Sequence, residues 1–257
     1  MPEQNSPQAP PTEFDANAPQ TIFIKVEIDG VSFTVGHIFD PYNNLDRMVE
    51  YFKRLKSVLL PSEIKGGVAS EDDTVTANSW LWEKLAVGMV GRGDSDDELP
   101  EDWKQEIEND ERDYAINQLL GAQIIPVATV SAEGRLAWGR KVTHIAVPML
   151  VRFGSYQVRV THHLKKYSAS QLTLYKRLAS RREHVPGDTI NKAETQLPSA
   201  ARELYDLYLD MRESVEGYSG GLVPLSHALL ALRHVFSTGM ESEVKKLTAT
   251  QPPSKGA

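Results

Sequence analysis

The stretch Val31 to Ser57 (VSFTVGHIFDPYNNLDRMVEYFKRLKS) has a counterpart of equal length, Gly154 to Ser180 (GSYQVRVTHHLKKYSASQLTLYKRLAS), and this repetition constrains the fold more than any single motif. Laid together without a gap, at an offset of 123, Ser32 meets Ser155, Val35 meets Val158, Lys53-Arg54-Leu55 meets Lys176-Arg177-Leu178 and Ser57 meets Ser180. Phe33 meets Tyr156 and Phe52 meets Tyr175. At the same offset Leu81-Trp82-Glu83 falls on Leu204-Tyr205-Asp206, so two apolar blocks and the interval between them recur. A tandem duplication is the expectation, and a repeat is read before any motif because it decides how many units there are.

The chain has 257 residues, enough for two ordinary domains that each bury a modest core. Hydrophobic residues at 40% and charged residues at 25% are values of a globular protein in water. No apolar run approaches the roughly 18 residues needed to span a membrane, and the N-terminus lacks the basic start and apolar core of a secretory signal. With no cysteine, disulfide and thiolate chemistry are excluded, and a reducing cytoplasm is expected. The net charge of −7 hides an asymmetry: residues 1–123 carry −14 and residues 124–257 carry +7. Complementary acidic and basic units would face one another, a neighbouring copy or a nucleic acid.

Residues 1–20 are polar and rich in Pro, Gln and Asn, and read as a disordered tail. The first, acidic unit is expected over 21–123. Ile22, Ile24, Val26 and Ile28 alternate with polar residues or Phe23, then Asp29-Gly30 precedes Val31, Phe33 and Val35, which is a hairpin pattern. Leu45, Met48, Val49, Phe52, Leu55 and Leu59 mark a helix. A second helix is read through Ala77, Leu81, Leu85 and Met89, closed by Gly88, Gly91 and Gly93, and a third opens at Pro100, with the run ENDERD as a break. Residues 124–140 read as a linker or extra strands. The second, basic unit, 141–240, restates the plan: strands at 145–151 and 156–161, and helices at 169–182, 198–215 and 224–237. Ser168 with Gln171 forms a capping box for the first of these helices. A flexible tail is expected over 241–257. The fold class is thus α+β, two similar units that are each a β-hairpin or small antiparallel sheet followed by about three helices.

Motifs that would carry chemistry fail on context. Gly217-Tyr218-Ser219-Gly220-Gly221 matches GxSxG, but a nucleophile elbow needs a strand before the serine and an acid and histidine after it; a helix is expected before Ser219, and no histidine follows Glu241 and Glu243. Adjacent His162 and His163 point to opposite faces of a strand, and His227 and His234 share a helix face without a carboxylate, so no metal site is assigned. The glycines near Gly91 do not follow a strand, which excludes a dinucleotide fingerprint. No catalytic residue, metal or cofactor is assigned. The candidate interaction surface is charged: Lys165, Lys166, Arg177, Arg181 and Arg182 on the basic side, and Asp94, Asp96, Asp97 and Glu98 in an acidic loop. Tyr167 and Tyr175 lie between the basic residues and would stack on bases if exposed, but Tyr175 aligns with Phe52 and is expected in the core.

The unit ending in YKRLASRR, followed by LYDLYLDMRESVEGYSG, and the segment DELPEDWKQEI in the first unit resemble proteins encoded among the tail genes of tailed bacteriophages and prophages, similar to tail-assembly, chaperone-like proteins. The first unit departs from the pattern where Val90-Gly91 stands in place of Val215-Glu216-Gly217-Tyr218. The resemblance implies a non-enzymatic viral protein, in the host cytoplasm or the virion, with phage structural proteins or further copies of itself as partners. The alternative is a nucleic-acid accessory protein using the basic second unit.

Overall fold

A computed structural model describes residues 10–57, 71–93, 102–107, 109–125, 144–180 and 190–249. Strand β1 (Gln20–Ile28) turns through Asp29 and Gly30 into β2 (Val31–Phe39), paired antiparallel from Ile28 opposite Val31 to Gln20 opposite Phe39. Asp29 and Gly30 both have positive φ, at 52° and 76°, the conformation whose twist matches a two-residue hairpin. Ile22, Ile24 and Val26 point into the core while Phe23, Lys25 and Glu27 point out.

Helix α1 (Leu45–Arg54) begins where the Asn44 side chain accepts the backbone N–H of Arg47, and it buries Met48, Val49, Tyr51 and Phe52. Helix α2 (Glu71–Leu85) buries Ala77, Asn78, Leu81 and Leu85. Strand β3 (Ala86–Gly93) then pairs antiparallel with β2, with a bulge between Ile38 and Phe39. This corrects the sequence expectation, which ended a helix in the glycines. Gly88, Gly91 and Gly93 lower helix propensity, and the open edge of β2 offers the backbone partners that an isolated segment lacks. After a turn over 102–107 that buries Trp103 and Ile107, helix α3 (Asn109–Leu120) buries Ala115, Ile116, Leu119 and Leu120. The acidic run begins this helix, because Asp110 and Glu111 in the first turn complement its dipole. Pro100 lies outside the described residues.

The second sheet has the order β4 (Ala122–Ile124), β5 (His144–Phe153), β6 (Tyr156–Lys165), β7 (Arg212–Glu216), all antiparallel. Ile124 thus belongs to an extra strand of the second sheet. Between β6 and β7 lie helices α4 (Ala169–Ser180) and α5 (Ile190–Met211), and after β7 a short 3-10 turn (Ser219–Gly221) leads to α6 (Leu225–Ala249). The capping box at α4 is present: the Ser168 N–H donates to Oε1 of Gln171 at 2.8 Å, and the Gln171 N–H to Oγ of Ser168 at 3.2 Å. The expected helix to Val215 stops at Met211, since Arg212–Glu216 pairs with β6. The helix expected to end near Ser237 continues to Ala249, into the segment read as a tail.

Hairpin, two helices, a third strand beside the hairpin's second strand, and a helix therefore occur twice in the same order. The ungapped offset does not describe their correspondence. Val31 opposes Ile28 at the hairpin turn as Tyr156 opposes Phe153, and the bulge at Ile38/Phe39 matches one at His163/Leu164. His37 therefore stands where His162 stands, and Val35 where Val160 stands. Leu81-Trp82 corresponds to Leu207-Tyr208, the last turn before each third strand, not to Leu204-Tyr205. Only in the first helices does the ungapped alignment hold, with Leu55 and Leu178 both buried.

The two halves touch through α1 against α5 and through α3 against β5. An ion pair between Asp46 and Arg202 sits on the exposed rim of the first contact. The N-terminal segment is a further tie. Phe14 is fully buried, its N–H donates to the Gly217 carbonyl at 2.7 Å, and its own carbonyl accepts the Ser219 N–H at 2.9 Å. Within residues 10–20, read from sequence as part of a tail, Phe14, Ala16 and Gln20 are buried, because one aromatic ring buried among other rings outweighs the polar composition around it. Residues 1–9 lie outside the described residues.

Candidate functional site

Five side chains form a buried hydrogen-bonded relay where the two halves meet. The hydroxyl of Tyr42, just after β2, lies 3.4 Å from Nε2 of His227 on α6. Nδ1 of His227 lies 3.1 Å from the hydroxyl of Tyr218, which lies 3.0 Å from Nε2 of His162 on β6. Nδ1 of His162 lies 2.7 Å from the hydroxyl of Tyr208 on α5. All five residues are at most 5% exposed. The ring of Phe14 packs edge-on against Tyr42, Tyr218 and His227, and seals the relay from the N-terminal side.

Each residue is positioned by a local rule. His162 points inward because Val158, Val160 and Leu164 share its face of β6. Tyr218 is aimed by Gly217, whose φ of 76° turns the chain sharply after β7 and whose missing Cβ leaves room 2.4 Å from the Arg159 carbonyl oxygen. His227 lies on a helix stretch that also buries Ser226, Ala228, Ala231 and Leu232.

Electrostatics keep the relay neutral. Burial lowers His162 to about 3, helped by the charges of His227, Arg212 and His163, and burial lowers His227 to about 3. Burial raises Tyr42, Tyr208 and Tyr218 above the ordinary phenol range. A neutral imidazole has one N–H and one lone pair, and a phenol has one hydrogen. Tyr218 has one hydrogen, so it donates to at most one of the two rings and accepts from the other or from both. Arg212, whose charge bears on Tyr208, favours the lone pair of that phenol turned towards it and the hydrogen turned towards His162.

The first half carries a counterpart that is less complete. The indole N–H of Trp82 donates to Nδ1 of His37 at 3.0 Å, and the Arg112 guanidinium stacks on Trp82 at 4.6 Å. Burial, and then the charge of Arg112, lowers His37 to about 4. Its Nε2 has no hydrogen-bond partner among the described residues. Beside it, the Tyr51 hydroxyl donates to Asn78 at 2.7 Å, and Asn78 and Asn117 donate to the two oxygens of Asp113 at 2.6 and 2.8 Å. Burial raises Asp113 against the bonds from Asn78 and Asn117, which lower it.

The sequence-derived site residues are placed differently. Lys165, at the end of β6, is exposed, Lys166 beside it is half-buried, and Arg177 on α4 reaches Glu203 on α5 at 3.8 Å. Arg181, Arg182, Asp94, Asp96, Asp97 and Glu98 lie outside the described residues. Tyr175 stacks on Phe236 with centroids 4.2 Å apart, and Tyr167 packs on the same ring at 4.8 Å. Both aromatics face the core of the second half. His163 bonds Glu216 at 3.0 Å, on the face opposite to His162. Among the described residues no three His, Asp or Glu side chains converge as a metal site, and no described helix is long and apolar enough to cross a membrane. The expectation of a helix before Ser219 is corrected, since β7 precedes it. Both ring nitrogens of His162 and of His227 are engaged by tyrosine hydroxyls.

Sequence reasoning missed Tyr42, Tyr208 and Tyr218 as the histidines' partners. The available signal was that four of the five relay residues lie in the second half, with Tyr218 in a Glu-Gly-Tyr turn. Comparison of the chain with protein-family models, with curated proteins and with solved structures returns no match.

Proposed function

We propose that this chain is a non-enzymatic assembly protein of the kind encoded among tailed-phage tail genes, working through protein–protein contact and built from two copies of one ancestral unit. The observation that carries the contact-based part is the sealing of the relay. Its histidines and tyrosines, the groups best suited to acid–base work, are buried and hydrogen-bonded to each other, an arrangement that fixes the two halves of the molecule. The surface instead presents apolar side chains: Phe23, Val87, Val90 and Tyr156 are 44% to 60% exposed. Phe23 and Tyr156 flank a cleft of about 380 Å³ that Pro11, Pro19 and Phe153 also line.

The assignment to phage tails rests on the sequence resemblance. A nucleic-acid role ranks behind it, because Tyr175 and Tyr167, the aromatics that would stack on bases, pack on Phe236. The test is a pull-down with the tagged chain from cells producing the phage, together with assembly scored after deletion of its gene. Co-purification of a tail component and loss of complete tails are expected. Normal particles without the protein, and no tail component retained, would overturn the reading.

A further inference from the structure

We infer that two copies of this chain pair through the outer edge of β3, antiparallel about a two-fold axis that passes at Val90. No described strand pairs with the outer side of β3, so its backbone donors and acceptors are a template for another strand. The other edges are guarded: β1 carries Lys25 and Glu27, β7 is Arg212-Glu213-Ser214-Val215-Glu216, and β4 has three residues. Strand β3, Ala-Val-Gly-Met-Val-Gly-Arg-Gly, has no proline and no charge before Arg92.

The side chains say which partner fits. Partners in an antiparallel ladder share a face of the sheet, so a symmetric pair places its axis at a residue and not between two. The run Gly88 to Gly93 pairs with β2 without interruption, clear of the bulge at Val87. With the axis at Val90, Val90 opposes its own copy, Met89 opposes Gly91, and Gly88 opposes Arg92. Every larger side chain meets its like or a glycine, and no like charges face each other. On the outer face Phe23, Gly36 and Val90 form one row across the first sheet. A Cβ on Gly36 would come within 2.9 Å of both Phe23 and Val90, so these two side chains close over the glycine. Pairing continues the row into its two-fold-related copy and covers Val90, which is 48% exposed in the single chain. The contact is isologous and closes at two copies.

The inference is independent of the tail-assembly reading, since a dimer that binds no phage component leaves it intact. Size-exclusion chromatography with light scattering is expected to give the full chain twice its 28.6 kDa. The chain has no cysteine, so Val90→Cys places a single thiol at the axis, and oxidation with a glutathione couple is expected to yield a disulfide-linked dimer. Glu27→Cys, on the opposite edge of the sheet, is expected to stay uncrosslinked. Val90→Lys sets like charges across the axis and is expected to weaken the dimer about tenfold or more, with the far-UV circular dichroism of the folded chain unchanged. A wild-type monomer at high micromolar concentration, or equal crosslinking of the two cysteine variants, would overturn the inference.

Discussion

The hydroxyl of Tyr218 lies 3.0 Å from Nε2 of His162, and through this contact the turn after β7 is held to the middle of the second sheet. The same hydroxyl lies 3.1 Å from His227, so one oxygen joins a strand to the last helix. Tyr218→Phe strands two buried imidazole nitrogens without filling their places. The expected cost is about 1–3 kcal/mol, read as a lower urea midpoint with an unchanged slope.

Stability is expected to fall as pH drops from about 6.5 towards 4. His162 and His227 are lowered to about 3 and His37 to about 4 in the folded chain, against 6.5 for an ordinary histidine. In that window the unfolded state takes up protons that the folded state refuses, so acid favours unfolding, by about 1.4 kcal/mol per histidine for each pH unit. Asp113, raised by burial, binds its proton earlier when folded and offsets a part at the acid end. Urea unfolding across this range checks the sign, and His227→Gln is expected to flatten the slope.

Gly217→Ala is expected to be far more damaging than Gly30→Ala, although both glycines have a φ of 76°. At Gly30 nothing lies within 4 Å of an added Cβ, and the cost is the strained φ alone, about 1 kcal/mol. At Gly217 the added atom meets the Arg159 carbonyl oxygen at 2.4 Å, so β6 or the turn that aims Tyr218 must move. The difference in melting temperature between the two variants measures that movement.

Phe14→Ala is expected to cost about 3–5 kcal/mol, as for other fully buried aromatic rings. The ring contacts Tyr42, Phe153, Tyr218 and His227, which come from both halves of the chain. Faster hydrogen exchange at both Tyr42 and Tyr218 is therefore expected in this variant.

Asp46→Ala is expected to change stability by less than about 1 kcal/mol, since the ion pair with Arg202 is exposed on both sides and screened by salt. A double-mutant cycle with Arg202→Ala isolates the pair. A coupling of several kcal/mol would mean that charge asymmetry, and not aromatic packing, holds the halves together.

The features read correctly from sequence are those whose cause is local. The Asp29-Gly30 turn, the alternation through Ile22 to Val26 and the Ser168–Gln171 capping box each depend on a few neighbouring residues, and each stands as expected. The segment Ala86 to Gly93 was misread because its glycines and valines satisfy a helix end as well as a strand, and only the free side of β2 decides between them. The buried place of Phe14 was missed for a similar reason, as a lone aromatic in a polar segment shows its pocket only once that pocket is built.

Residue order alone determined that the chain is α+β, that it alternates hairpins with helices, and that His162 and His163 face opposite ways, because strand pleat and helix period act over a few residues. Tertiary structure alone decided that His162, His227, Tyr42, Tyr208 and Tyr218 form one relay, with His162 and Tyr42 as far apart in sequence as the two halves themselves. The two halves also match by strand register and not by ungapped alignment. A hydrogen bond across two halves is specified by the docking of whole elements, and that docking is set by the summed burial of their apolar faces, a quantity no local pattern contains.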